Sequence, residues 1–158
     1  MIETRIESRE KAQLDLAAEV LRSFGELRFV ARGSSMLPTI FPGDVLLVRR
    51  EPIASARSGD IVLSSREGRL FAHRVVGQAQ ERGRLALITR GDALAETDLP
   101  VTEDEWLGRV MDVSRGGKSV EFGDDPAIAK RVLRLAVRRW DRAGKWLLRF
   151  YSLQRLID

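Results

Sequence analysis

The spacing of apolar residues changes period twice along the chain. From about Ile6 to Phe24, Leu14, Ala17, Ala18, Leu21 and Phe24 recur every three or four positions among charged residues, which predicts a helix with Gly25 as its stop. From Leu27 the period shortens. LRFVAR (27–32), VLLVRR (45–50), DIVLSS (60–65), LFAHRVVG (70–77), RLALITR (84–90), WLGRVMDV (106–113) and KSVEF (118–122) read as short strands, with Gly, Pro, Asp and Ser clusters between them. REGR and RGGK have the form of hairpin tips, so the expected fold is mainly β, a largely antiparallel sheet or small barrel. After Asp125 and Pro126, suited to an N-cap and a first turn, the helical period returns. Val132, Leu133, Ala136, Val137, Trp140, Leu147 and Tyr151 form its apolar stripe, opposite Arg131, Arg134, Arg138, Arg142, Lys145 and Arg149. The expected organisation is an N-terminal helix (1–25), a β domain (26–124) and a C-terminal basic amphipathic helix (125–158).

Composition narrows the chemistry. The 158 residues suffice for one domain that buries roughly 68–70% of the surface of the unfolded chain. With no cysteine and a single histidine, disulfides, thiolate nucleophiles and multi-histidine metal sites are excluded, and neither a metal nor another cofactor is expected. The net charge of +4 is concentrated in the tail. Residues 126–158 carry nine Lys/Arg against two Asp, or +7, which leaves −3 for the rest. The basic tail helix reads as a surface helix packed on the sheet, as a partner-docking helix, or as a helix lying on anionic lipid through Trp140, Trp146 and Phe150. No motif points to nucleic acid. The N-terminus is polar and mixed in charge, and no run of about 18 apolar residues exists, so the expected location is cytoplasmic, either soluble or peripheral at the inner membrane face.

Chemistry concentrates in three polar interruptions of apolar runs. GSSMLPTIFPGD (33–44) sets Ser34 and Ser35 before a proline-bounded turn, LFAHRVVG holds His73, and LITRGDALAETD offers Asp92 and Asp98. A serine hydroxyl becomes a useful nucleophile when a base takes its proton and a third group fixes the tautomer of that base. The chain holds one candidate base and two candidate carboxylates for that role. The Gly43-Asp44 and Gly59-Asp60 pairs read as turn residues between strands.

Taken in order, GSSMLPTIFPGDVLLV, SGDIVL, FAHRVVG and TRGD with a further aspartate six residues on resemble the signal peptidase I clan of serine peptidases, over roughly residues 30 to 112. The resemblance implies a serine endopeptidase acting on a leader or precursor peptide, with Ser35 as nucleophile. It implies His73 as base, as in the branch typical of the endoplasmic reticulum, archaea and some bacteria. Asp98 is then the third member and Asp92 a supporting residue. Gly33 stands where many members have a serine, which turns the oxyanion role over to the Ser35 N–H with Ser34 as helper. Met36 and Pro38 would wall the substrate groove. Two departures are plain: the chain has a polar N-terminal helix in place of a membrane anchor, and Ala93-Leu94 replaces the asparagines that follow the first aspartate. A self-cleaving repressor-like peptidase and a non-catalytic module binding peptide or membrane are the alternatives on the same fold.

Overall fold

The computed structural model describes residues 2–121, which lie in the first of the two units into which the chain divides, Met1–Asp124. The predicted basic tail helix lies outside the described residues. Helix α1 runs from Ile2 to Phe24, one turn earlier than its apolar stripe predicts. It stops where Gly25, at φ 74°, donates its N–H to the Leu21 carbonyl at 3.0 Å, a left-handed position that glycine adopts without a Cβ clash. Ala17 and Leu21 are buried, but Phe24 is 79% exposed. The stripe misplaces Phe24 because it is the last helical residue, and the core contact is made by residues one and two turns back.

Seven strands follow: β1 (Glu26–Val30), β2 (Val45–Arg49), β3 (Ile61–Arg66), β4 (Arg69–Glu81), β5 (Arg84–Arg90), β6 (Trp106–Arg115) and β7 (Lys118–Ser119). They form one antiparallel sheet in the order β1-β2-β6-β3-β4-β5, with β7 on β6. The predicted mainly β fold is therefore the observed one. Two expected hairpin tips are present. Glu67-Gly68 and Gly116-Gly117 both take positive φ at consecutive positions, as a two-residue turn matched to strand twist requires. A third tip, Arg82-Gly83, carries β4 beyond its predicted end at Gly77 and turns it into β5.

β3 sits at the centre of the packing. Its Ile61 and Leu63 join Leu21, Met36, Ile40, Leu46, Val48 and Val113 in one apolar cluster, while Val62 joins Ile53, Val75, Leu87 and Val101 in a second. Alternate residues of one strand thus enter two cores, which explains a continuous apolar run where a half-exposed strand would alternate. At full burial each such side chain contributes about 1.5–3 kcal/mol. Bulges interrupt β2–β6, β3–β6 and β4–β5; the last sets Val76 out of register just after His73 and Arg74 and bends β4 there.

Candidate active site

The segment between β1 and β2 forms a closed loop. At its base the Ala31 N–H donates to the Asp44 carbonyl (2.9 Å) and the Gly43 N–H to the Ala31 carbonyl (2.8 Å). Asp44, 2% exposed, accepts the Phe41 N–H at 2.8 Å and an ion pair from Arg115 at 2.7 Å. The Arg115 guanidinium holds the Asp44 carboxyl below the usual carboxylate range. Within the loop, the Leu37 N–H donates to the Ser34 carbonyl, and the Thr39 and Ile40 N–H groups donate to the Met36 carbonyl. Met36 is buried in the core and anchors this run of turns from below. Ser35 is thereby held half-buried at the surface, and its N–H donates to nothing among the described residues.

β4 brings His73 to it. His73 is 5% exposed, and its Nε2 lies 2.9 Å from the Ser35 Oγ, across 38 residues of sequence. Its Nδ1 lies 2.6 Å from Asp98 Oδ2. A carboxylate only accepts, so Nδ1 carries the imidazole proton and Nε2 is left to accept the serine hydroxyl. The Phe71 ring, two residues back on the strand, stands tilted beside His73 with ring centroids 6.0 Å apart.

Asp98 is placed by β5 and by the chain that follows it. Thr89 donates its hydroxyl to Asp98 Oδ2 at 2.7 Å, and the Asp98 N–H donates to the Thr89 carbonyl at 2.8 Å. Beyond Asp98, Leu87 and Val101 exchange two backbone hydrogen bonds. Arg66 of β3 donates to both oxygens of Glu105 (2.6 and 2.7 Å) and to the carbonyls of Leu99 and Pro100 (3.1 and 2.8 Å). The same guanidinium depresses the Glu105 carboxyl pKa. Both devices fix the far end of the loop that carries Asp98.

Asp92 lies elsewhere. It takes two bonds from Arg74, at 2.8 Å each, and one from the Thr39 hydroxyl at 2.5 Å. Arg74 also donates to the Gly59 carbonyl at 2.7 Å. Of the two candidate carboxylates, the one that meets the imidazole is Asp98; Asp92 fastens the turn bearing the serine to the strand bearing the histidine. The preceding Gly91 is required by close approach, because a Cβ there would sit 2.6 Å from the Ser35 carbonyl oxygen, which the Ala93 N–H reaches at 2.9 Å.

A cleft of about 590 Å³ opens beside the site. Gly33, Ser35, Met36 and His73 line one end, and Pro38 lies outside the lining. Ser34 is exposed at the start of the turns. Thr89, Thr39, Gly91 and Arg66 escaped the sequence reading. Arg74 carried a signal, a cation inside an apolar strand run next to the histidine, whereas the pairings of the two threonines depend on long-range register that sequence spacing does not encode.

Among the described residues, no helix is long and apolar enough to cross a membrane, and no three His, Cys, Asp or Glu side chains are grouped to hold a metal ion. No curated protein matches the chain. The family model described as Peptidase S24-like matches residues 2–111, a span that holds the helix, the sheet as far as Met111, and Ser35, His73 and Asp98. By that match over more than two thirds of its length, the chain belongs to the Peptidase S24-like family.

Proposed function

We propose that the protein is a serine endopeptidase of signal peptidase I type that cuts a leader or precursor peptide through an acyl-enzyme. The observation that carries the reading is the imidazole of His73, within hydrogen-bond reach of the Ser35 hydroxyl on one side and the Asp98 carboxylate on the other. Nε2 takes the proton as Oγ attacks the scissile carbonyl; Asp98 keeps the proton on Nδ1 and stabilises the imidazolium that forms. The imidazolium then gives its proton to the leaving amine. Water repeats the sequence on the ester and frees Ser35.

The developing oxyanion lies against the Ser35 N–H, with Ser34 beside it. One such donor is worth about 2.7–4 kcal/mol in the transition state. The substrate docks as an added strand along the edge of β1 that has no strand partner among the described residues, Met36 forming part of the floor, which suits a flexible leader. The basic segment 126–158 provides peripheral contact with anionic lipid in this reading.

Incubation with a diverse peptide library, followed by mass spectrometry, tests it directly. Wild-type protein is expected to yield new termini and Ser35→Ala none, with both folded by circular dichroism. Equal product from the two removes Ser35 as nucleophile. A time course of the intact mass separates cleavage of other chains from self-cleavage.

A further inference from the structure

The cleft beside Ser35 has a charge pattern that its apolar floor does not require. It is bordered by two strand edges that lack a partner among the described residues. One is the outer edge of β1, which pairs with β2 alone; the other is Arg69–His73 of β4, which pairs with β3 and meets β5 only from Arg74 onward. Leu27 and Phe29 on β1, and Leu70 and Ala72 on β4, are half-buried along the cleft. Between them Arg28 and Arg69 are exposed, and Arg32 is exposed three residues before Ser35. All three arginines line the cleft, and among the described residues no Asp or Glu does. Two carboxylates of the adjoining α1 and β1 are engaged elsewhere: Glu26 with Arg49 at 2.7 Å, and Glu19 with Arg22 at 2.6 Å. Arg28 and Arg32 make no ion pair among the described residues.

We propose that this cleft selects an acidic extended peptide, with small or apolar side chains against the floor and Asp or Glu at intervening positions facing Arg28 and Arg32. It deepens the peptidase reading, on which the identification of the occupant as substrate rests. Side chains of an extended peptide alternate, as do those of the two bordering strands, so an apolar floor and a cationic rim call for alternating apolar and acidic residues. Guanidinium groups suit carboxylates because they bind them with two parallel hydrogen bonds. A groove bounded by strand edges offers backbone hydrogen bonds that a lipid headgroup layer cannot use, which favours a peptide over a membrane.

Binding to the Ser35→Ala protein separates recognition from chemistry. Three fluorescein-labelled peptides share an Ala-Ser-Ala core and carry glutamate, glutamine or lysine on both sides of it; fluorescence anisotropy reads their affinity. The glutamate peptide is expected to bind about tenfold more tightly than the glutamine one at low ionic strength, with the gap closing as salt rises. Arg28→Gln with Arg32→Gln is expected to shrink the gap, and Arg28→Glu with Arg32→Glu to shift preference to the lysine peptide, circular dichroism showing the fold retained. Equal binding of the three peptides, no binding of any, or an acidic preference indifferent to both double variants overturns the proposal. So does Arg28- and Arg32-dependent binding to phosphatidylserine vesicles without discrimination among the peptides.

Turnover by the wild-type protein distinguishes the two ideas. Glutamine and glutamate peptides cut at equal rates end the charge selectivity and leave the peptidase standing. Acid-selective binding with no cleavage of any peptide ends the peptidase and leaves the selectivity.

Discussion

Arg74 and Asp92 form a two-pronged ion pair, Nε to Oδ1 and Nη2 to Oδ2 at 2.8 Å each, with side chains only 3% and 5% exposed. Arg74 follows His73 on β4, and side chains alternate along a strand, so the two leave it in opposite directions. One neighbour faces Ser35 and Asp98 while the other locks the strand to the Gly91-Asp92 turn and, through Thr39, to the loop bearing Ser35.

Asp92→Ala leaves that buried guanidinium without its counter-charge. Removing one partner of a buried pair costs about 3–5 kcal/mol, so the urea midpoint is expected to fall steeply, with a smaller loss for Asp92→Asn, which still accepts from Arg74. An unchanged midpoint in the alanine variant would show that the pair does not hold the three segments together.

Asp98→Asn is expected to lower kcat by as much as about 10⁴-fold, because an amide can present its N–H to Nδ1 and stabilise the wrong tautomer. Thr89→Val removes a hydrogen bond to a charged oxygen, an interaction of about 1.5–3 kcal/mol, so a drop of about ten- to a hundredfold is expected with the fold intact. Peptide hydrolysis rates measured alongside denaturation curves check both. A larger fall for Thr89→Val than for Asp98→Asn would contradict the arrangement.

Two glycines offer a matched comparison. A Cβ on Gly91 meets the Ser35 carbonyl at 2.6 Å, whereas one on Gly77 meets only Ile88 Cβ at 3.8 Å, an ordinary contact. Gly91→Ala is expected to lose most turnover by displacing the Ser35 backbone, and Gly77→Ala to keep it. Similar rates in the two variants would refute the close-approach role of Gly91.

Much of the fold is legible because its signals are local. RLALITR has the same ends in sequence and structure, and the Glu-Gly and Gly-Gly tips follow from turn chemistry. The Arg82-Gly83 tip obeys the same rule and marks the end of β4 past Gly77. Ser35, His73 and Asp98 are separately visible as polar breaks in apolar runs, yet nothing local distinguishes Asp98 from Asp92 as the neighbour of His73. That distinction is made by the β4–β5 register, which opposes Arg74 to Arg90 and brings Thr89 and Asp98 within reach of the imidazole. Phe24 lies on the face that the helical period marks as apolar and is exposed all the same, because the period locates a face and not the point where packing ends.

Acid sensitivity follows from two carboxylates. Arg115 beside Asp44 and Arg66 beside Glu105 hold both groups below their ordinary pKa values. Their stabilisation is fully present above the unfolded carboxylate range and is lost as pH falls through it toward the folded values. Asp44→Asn and Glu105→Gln are each expected to flatten the acid limb of the stability-against-pH curve while leaving its slope near neutrality unchanged. An acid limb as steep as that of the parent protein in both variants would assign acid unfolding to other groups.

The clamp from Arg66 to Glu105 has a consequence for the order in which the protein is made. Ser35 and His73 leave the ribosome before Asp98, and the loop that carries Asp98 gains its last fastening only when Glu105 has emerged and met Arg66 of β3. In a half-synthesised chain the hydroxyl and the imidazole therefore stand without the carboxylate that completes their hydrogen-bonded series.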